Sequence, residues 1–320
     1  YDNLNFLNTK GKVVVRNGKA DLRGLSFNTL GGLVSMNGYY DTGDEKKAKL
    51  NYSIDAQNIV VKEAYEASKS IRKLAPIAEK TEGKASITIN IRGTMKNVTE
   101  VDYNSLNGDG RLTSKSLKIT GTEALDKIAQ VVNINAFKNP EVKDVNLSFA
   151  FVDGRVSVQP FDVKIGPVAA NIFGSHGFDQ TMDYVMATTV PTAALGGQAN
   201  AVIGGLVSQA NKLGANFSAG DKIKLDILIK GTFDKPKITP SFGGSAGGAT
   251  PTENLKAAAE AEFNKQKEEL EKKAREEADK LKKQAEDRAK AEAEKLRKQA
   301  EKAAKDKAGD ALKGLFGRPK

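Results

Sequence analysis

The chain has 320 residues, with 50 Lys and Arg against 40 Asp and Glu, which gives a net charge of +10. It contains no cysteine, so disulfides, thiolate nucleophiles and cysteine-ligated zinc are excluded. Acidic residues are interspersed with the basic ones, whereas nucleic-acid-binding proteins cluster basic residues on one face, so we expect no nucleic-acid partner. The single histidine, His176, has Gly174 and Gly177 close by, which favours a surface turn residue rather than a ligand or catalyst.

The rest of the sequence offers little that resembles an active site. No glycine-rich loop has the spacing of a P-loop or a dinucleotide-binding motif. Carboxylate pairs such as Asp41 with Asp44 lie in polar turns, where solvation is the ordinary explanation. Because the chain has a single histidine, the usual residue of catalytic triads and of histidine-based zinc sites is scarce. We therefore expect a protein that is not an enzyme and that has no cofactor and no metal.

Residues 1–60 have the pattern of short strands separated by turns. Asn17-Gly18 lies between two β-rich runs, which is the strongest short-range signal for a hairpin. Leu25 and Phe27 place apolar side chains two residues apart, as one face of a pleated strand requires. These features predict antiparallel strands from the first residues onward.

Helices are predicted to interrupt the strands. An apolar pattern with a period near 3.6 residues predicts helices over 61–78 and 123–137. Between them, residues 85–92 alternate as a strand, and residues 106–119 carry the Asn, Gly and Asp residues of a candidate hairpin. Residues 191–217 are rich in Ala and Gly, and we interpret them as a loosely packed helix. The uncharged residues 184–211 are long enough to span a membrane, but they are too polar and too interrupted by Pro and Gly to do so.

The strand-rich residues 145–190 repeat an order found near the start of the chain. Gly18 to Asp41 and Gly154 to Asp179 both contain a turn, a strand, a second turn, a second strand and a closing segment in which an aromatic residue precedes the Asp. This weak repeat predicts a sheet that is extended by similar units rather than one closed core.

The alternating strands predict one long apolar face, which can be interpreted in two ways. It can be an ordinary core that packs against a second sheet or against helices. Alternatively, the sheet curls into a trough that stays open for acyl chains, since each CH₂ that leaves water gains about 0.8 kcal/mol. The residues predicted to line such a trough are Ile87, Ile89, Ile91, Leu147, Phe149, Phe151, Phe161, Val163, Ile223, Leu225, Ile227 and Ile229.

Three segments resemble the C-terminal region of the AsmA family. They are the run GKASITINIRGTM, the stretch from VKDVNLSFAF to YVMATTVP, and the closing run GTFDKPKITPSF, in that order. The closing run is also similar to that of TamB-type proteins, so the resemblance extends to the wider superfamily. It covers residues 1–242.

The resemblance implies a mainly β fold with helices (α+β), in which a curved, taco-like antiparallel β-sheet groove has short covering helices. It also implies a bacterial cell-envelope protein that faces the periplasm and is anchored to the inner membrane by a segment upstream of this fragment. The groove would bind or conduct phospholipid between the inner and outer membranes, without catalytic residues. The alternative is an envelope structural or assembly factor that acts on outer-membrane proteins.

The composition changes near the end of the β-rich domain, 1–242. Residues 243–252 have the composition of a linker, and residues 253–308, which lack Gly and Pro, predict one long charged α-helix before a tail at 309–320. A narrow stripe of Ala and Leu repeats about every 3.67 residues, so a stable coiled-coil dimer is not expected. The helix is either a solvated spacer or an arm for an envelope protein partner, and its apolar tip could touch a membrane. The tip consists of Leu312, Leu315 and Phe316.

Overall fold

The structure is a computed structural model of the chain, and it places most of the sequence. The chain divides into two compact units, Tyr1–Lys267 and Glu268–Lys320. The residues that the structure describes are 4–43, 47–97, 100–132, 134–166, 168–191, 205, 208, 222–242 and 251–316.

The first unit is built on one open antiparallel sheet. The twelve described strands follow one another across the sheet in the same order as in the sequence, so that β1 and β12 form its two edges. This is the mainly β class that the sequence predicts, and the prediction is confirmed at that level. The strands are β1 (Leu7–Arg16), β2 (Lys19–Thr29), β3 (Gly32–Asp41), β4 (Lys49–Val60), β5 (Thr81–Thr94), β6 (Asn107–Ile119), β7 (Glu141–Val152), β8 (Arg155–Ile165), β9 (Val168–Gly177), β10 (Thr181–Pro191), β11 (Lys222–Thr232) and β12 (Pro236–Phe242).

Two helical insertions interrupt the sheet. The first joins β4 to β5 and consists of α1 (Val61–Ala67), α2 (Lys69–Leu74) and a 3₁₀ turn (Pro76–Lys80). The predicted helix over 61–78 is therefore divided, because Ser68 caps α2 by accepting a hydrogen bond from the backbone N–H of Ile71. The second insertion joins β6 to β7. It consists of α3 (Glu123–Val132) and a 3₁₀ turn (Asn135–Phe137).

The predicted hairpin at 106–119 is wrong, because these residues lie almost entirely in the single strand β6. The glycines that suggested a turn make room for aromatic rings instead. A Cβ atom at Gly108 would lie 2.3 Å from Cζ of Phe151, and one at Gly110 would lie 2.5 Å from Cζ of Phe149. Both rings therefore occupy the space that a side chain at the glycine would otherwise fill.

The predicted internal repeat is confirmed by equivalent turns in β1–β3 and β7–β9. Asn17 and Gly18 have φ angles of 50° and 75°, and Asp153 and Gly154 have 49° and 78°. Positive φ at both central residues is the mark of the type I′ turn, which matches the twist of a hairpin. In both copies, the residue that follows the third strand donates its N–H to the carbonyl of the turn glycine, at 2.8 and 2.7 Å.

A special glycine marks the third strand of each copy. Gly38 has a φ of 143° and Gly174 has a φ of 135°. A Cβ atom would lie 2.0 Å from a backbone oxygen of the next strand at Gly38, and 2.3 Å at Gly174. The ring of Tyr52 lies beside the first glycine and that of Tyr184 beside the second. The second strand of each copy also carries a register shift three or four residues after its turn.

The helical insertions cover parts of one face of the sheet. Ala64 of α1 packs in a small cluster with the ends of β4. The larger cluster lies between the second insertion and strands β7–β11, and it includes Ile128, Phe137, Val190, Leu225 and Ile227, each 1% exposed or less. The main core of the described chain is therefore in the second half of the sheet.

The charged C-terminal segment forms one helix, α4 (Pro251–Phe316). The helix begins two residues before the predicted boundary of 253 and continues into the predicted tail at 309–320. In its second part, Glu269 pairs with Lys273 at 2.6 Å and Glu294 pairs with Lys298 at 2.7 Å. Residues 243–250 of the predicted linker, almost all of the predicted helix at 191–217, and the side chains of the predicted apolar tip lie outside the described part.

Candidate functional site

Register places a continuous row of mainly apolar positions across eleven strands. Cross-strand partners lie side by side and point to the same face of a sheet. We call this set the central row and the face that carries it the apolar face. From β2 to β12, the successive partners are Leu25, Met36, Ile54, Ile89, Gly110, Phe149, Val158, Gly174, Tyr184, Ile229 and Ile238.

The opposite face of the same strands is largely polar. Ser53 and Thr88 alternate with the central row in β4 and β5 and are exposed. We call this side the polar face. Phe173 and Val185, partners in β9 and β10, are exceptions on it and are 2% and 6% exposed. The contrast between the two faces confirms the period-two pattern of the sequence.

The residues predicted to line a trough share the apolar face, but they differ in burial. Four of them are core residues, because Phe151, Val163, Leu225 and Ile227 are between 0 and 8% exposed. The side chain of Ile223 lies outside the described part of the chain. The others are half-buried; they are Ile87, Ile89, Ile91, Leu147, Phe149, Phe161 and Ile229.

The most accessible part of the apolar face lies in β1–β4. Val13 and Val15 of the edge strand are 54% and 70% exposed. Leu25, Met36 and Ile54 of the central row are half-buried, and they do not belong to the hydrophobic clusters of the described residues. We call this part of the apolar face the open patch, in which two residues are exposed and four are half-buried; it consists of Val13, Val15, Leu22, Leu25, Met36 and Ile54.

The predicted site residues omit the open patch. Leu25 lies in an alternating apolar pattern of β2 and Met36 in one of β3, as the predicted residues do in later strands. Alternation reports which face a side chain occupies, not whether a helix covers it. The missing signal is the absence of a helical insertion between β1 and β4, which could be read from the short turns in that part of the sequence.

The end of α2 reaches across the apolar face to β9. The backbone carbonyl of Leu74 lies 2.9 Å from Nε2 of His176, although the two residues are 102 positions apart. The neighbouring Lys73 donates from Nζ to the carbonyl of Phe178 at 3.4 Å. Leu74 and Phe149 pack against the same buried cluster around Phe151. The end of α2 therefore lies over the part of the apolar face that follows Ile89 toward β9.

His176 is a buried strand residue, so its predicted place on the surface of a turn is wrong. It is 7% exposed. Its Nδ1 lies 2.8 Å from the hydroxyl of Tyr184. Since the carbonyl of Leu74 can only accept, Nε2 carries a proton and donates, and Nδ1 of the neutral ring accepts from Tyr184.

Burial sets the protonation of this pair. Burial lowers the pKa of His176, although the hydrogen bond to the Leu74 carbonyl opposes this effect, and the charge of Arg155 lowers the pKa further. Burial also raises the pKa of the Tyr184 hydroxyl, again against the effect of Arg155. Both groups are therefore neutral near pH 7. The pair fastens α2 to the sheet.

Neither a candidate metal site nor a helix long and apolar enough to span a membrane is found among the described residues of the chain. Its described residues contain no group of three or more His, Asp or Glu side chains arranged to hold a metal ion. Within the same residues, each helix is too short or too polar to cross a bilayer.

Comparisons with known proteins found no relative of this chain. No protein-family model matches the chain, no curated protein is significantly similar to it, and no solved structure matches it. The resemblance to the AsmA family therefore stays a prediction from the sequence.

Proposed function

We propose that this chain is part of a non-enzymatic cell-envelope protein whose hydrophobic β-groove binds or conducts phospholipid between the inner and outer membranes. The single observation that carries the proposal is the central row together with the open patch. In that patch, Val15 at 70% and Val13 at 54% continue an apolar surface to the edge of the sheet. Apolar surface that stays accessible to solvent is typical of a binding site.

The physical chemistry of the face suits an acyl chain. Each methylene group that leaves water gains about 0.8 kcal/mol, so ten groups gain about 8 kcal/mol without a specific contact. The central row offers apolar contacts over successive strands, and polar side chains of the same strands point to the opposite face. A long, uniform and apolar ligand fits this arrangement better than a small polar one does.

A curled, taco-like sheet accounts for the long-range contacts of the insertions. Lys127 of α3 donates from Nζ to the carbonyl of Pro236 in β12 at 2.9 Å, although α3 follows β6. The end of α2, which follows β4, bonds to His176 in β9. Short helices can reach strands so far along the sheet when the sheet curls around them. This supports a groove with covering helices.

The location in the envelope follows from the family resemblance. We propose a periplasm-facing protein that is anchored to the inner membrane by a segment upstream of this fragment. Phospholipid is the proposed ligand, and an envelope protein is the proposed partner of α4. The exposed ion pairs of α4 suit a solvated arm, since such pairs add only a few tenths of a kcal/mol each.

Lipid extraction tests the proposal with two adjacent substitutions. The purified chain should carry phospholipid that mass spectrometry identifies after solvent extraction. Ile54→Lys places a charge on the apolar face and should remove most of this lipid. Ser53→Lys places the same charge on the polar face of the same strand and should leave the lipid unchanged. Equal lipid in the two folded variants, or no lipid in the unaltered chain, would contradict the proposal.

A second function is favoured by the edge strand β1. It spans ten residues without proline, and Val13 and Val15 are exposed along it. The opposite edge, β12, contains Pro236 and Pro240, which limit pairing with another strand. An assembly factor could add a strand of an outer-membrane protein at β1. Photocrosslinkers in β1 would then capture outer-membrane proteins in cells rather than lipid.

A further inference from the structure

We propose that the groove has a closed end: one acyl chain of an anionic phospholipid passes over Val13 and Val15 of β1, lies along the central row from β2 to β5 and stops against Phe149. This inference rests on the proposed function and narrows it, because it makes the first five strands the binding site. It follows from a barrier in the middle of the row and from the distribution of charge at the open edge.

The barrier begins at Gly110, the partner of Ile89 in the central row. The ring of Phe149 occupies the space above this glycine, where a Cβ atom would lie 2.5 Å from Cζ. Phe149 stacks near Phe151, with ring centroids 6.5 Å apart. An acyl chain that follows the row from Ile54 past Ile89 would therefore meet the ring of Phe149.

A second element closes the row at the same place. Leu74 packs against the cluster that Phe149 joins, and its carbonyl is bonded to His176 four strands beyond β5. Further along, Ile229 and Ile238 of the row pack against the core that α3 fills. The protein's own side chains thus pack against the second half of the row. Ile229 in that half is half-buried, to the same class of exposure as Ile54 in the first half.

The path from the edge strand β1 to the end of the uncovered part of the row is about as long as one extended acyl chain. Neighbouring strands lie about 4.8 Å apart, so the path from β1 to β5 is about 19 Å long. Its entrance is β1, where Val13 and Val15 stand exposed on the apolar face. No described helix follows any of the first three strands. The acyl chain would therefore enter at the edge strand and extend toward Phe149.

Charge at the entrance selects the headgroup. Strands β1–β3 carry five basic residues and two acidic ones. Lys10, Lys12 and Arg16 are exposed on the edge strand itself. A phosphate that lies past this edge meets these cations. A headgroup with a net negative charge is favoured there over a zwitterionic one.

Photocrosslinking of the full chain tests the closed end. A photoreactive amino acid is placed at Ile54 or at Ile229, which are matched in residue type, row and burial, with Ser53 as the control on the polar face. Each protein is irradiated with vesicles of phosphatidylglycerol or of phosphatidylcholine, and lipid adducts are counted by mass spectrometry. We expect at least tenfold more adduct at Ile54 than at Ile229 or Ser53, and several-fold more with phosphatidylglycerol.

The other outcomes are distinct. Equal adducts at Ile54 and Ile229, with none at Ser53, overturn the closed end but leave lipid binding intact. Equal yields from the two kinds of vesicle overturn the choice of an anionic headgroup. Adducts at none of the three positions, or equal adducts at all three, overturn the proposed function together with this inference. Circular dichroism of each protein confirms that the substituted chain is folded.

Discussion

The two halves of the sheet follow one plan but bury their apolar faces to different extents. In β1–β4, side chains such as Met36 and Ile54 stay half-buried, and Val15 is 70% exposed. In β7–β10, the corresponding face contains Met186 and Val190, which are 2% and 0% exposed. The turns, register shifts and special glycines are nevertheless equivalent. The strands set which residues face the groove, and the insertions set which of them are covered.

The difference arises from what each insertion fills. The 3₁₀ turn after α3 places Phe137, which is 0% exposed, in the middle of the larger cluster. The insertion after β4 extends beyond its own half, since the carbonyl of Leu74 at its end lies 2.9 Å from Nε2 of His176 in β9. A repeated sheet can therefore combine a packed core with an open surface.

Matched isoleucine substitutions should give the largest difference between the halves. Ile227→Ala removes a fully buried side chain, and we expect it to lower the free energy of unfolding by about 2–5 kcal/mol. Ile54→Ala removes a half-buried side chain and should cost about 1 kcal/mol, since less surface is lost from the protein interior. Urea unfolding of both variants measures the two values. Equal losses would mean that the first half is as well packed as the second.

Alanine at the repeated glycines tests whether the two halves share one backbone plan. Gly38→Ala and Gly174→Ala both force a Cβ atom onto a positive φ and toward a backbone oxygen. We expect each to cost on the order of 2 kcal/mol or more. Thermal unfolding gives the comparison, with Gly24→Ala as a control for positive φ alone, since Gly24 has a φ of 56° but a Cβ atom there meets nothing within 4 Å. If Gly38 and Gly174 proved as tolerant as Gly24, the equivalence of the two copies would be wrong.

The pH dependence of stability tests the contact between α2 and β9. The pKa of His176 is lowered in the folded protein from 6.5, so the unfolded state binds more protons below that pH. Stability is therefore full above pH 6.5 and falls as the pH decreases toward the lowered pKa. The slope is at most about 1.4 kcal/mol per pH unit. His176→Gln should remove this part of the slope between pH 7.5 and 5.5 in urea unfolding. Parallel slopes for both proteins would show that His176 titrates as an exposed group.

Much of the sheet could be predicted because its signals are local. Type I′ turns favour Asn-Gly and Asp-Gly, and the alternation of apolar residues is enough to assign Ile89 and Phe149 to one face of the sheet. The failures came from long-range packing. Gly108 and Gly110 suggested a turn, but glycine is needed there because the rings of Phe151 and Phe149 in the next strand occupy the space of a side chain. The local sequence does not show this contact. His176 suggested a surface position because its partner, the carbonyl of Leu74, is 102 residues away.

Hydrogen exchange with and without lipid tests most directly whether the two halves differ in function. The full chain is labelled in the presence of a short-chain phosphatidylglycerol below its micelle concentration, and the exchange of each peptide is followed by mass spectrometry. The account predicts slower exchange in β1–β4, where ligand would cover the open patch, and unchanged exchange in β8–β12. Slower exchange spread equally over β8–β12, or no change anywhere in the chain, would contradict it.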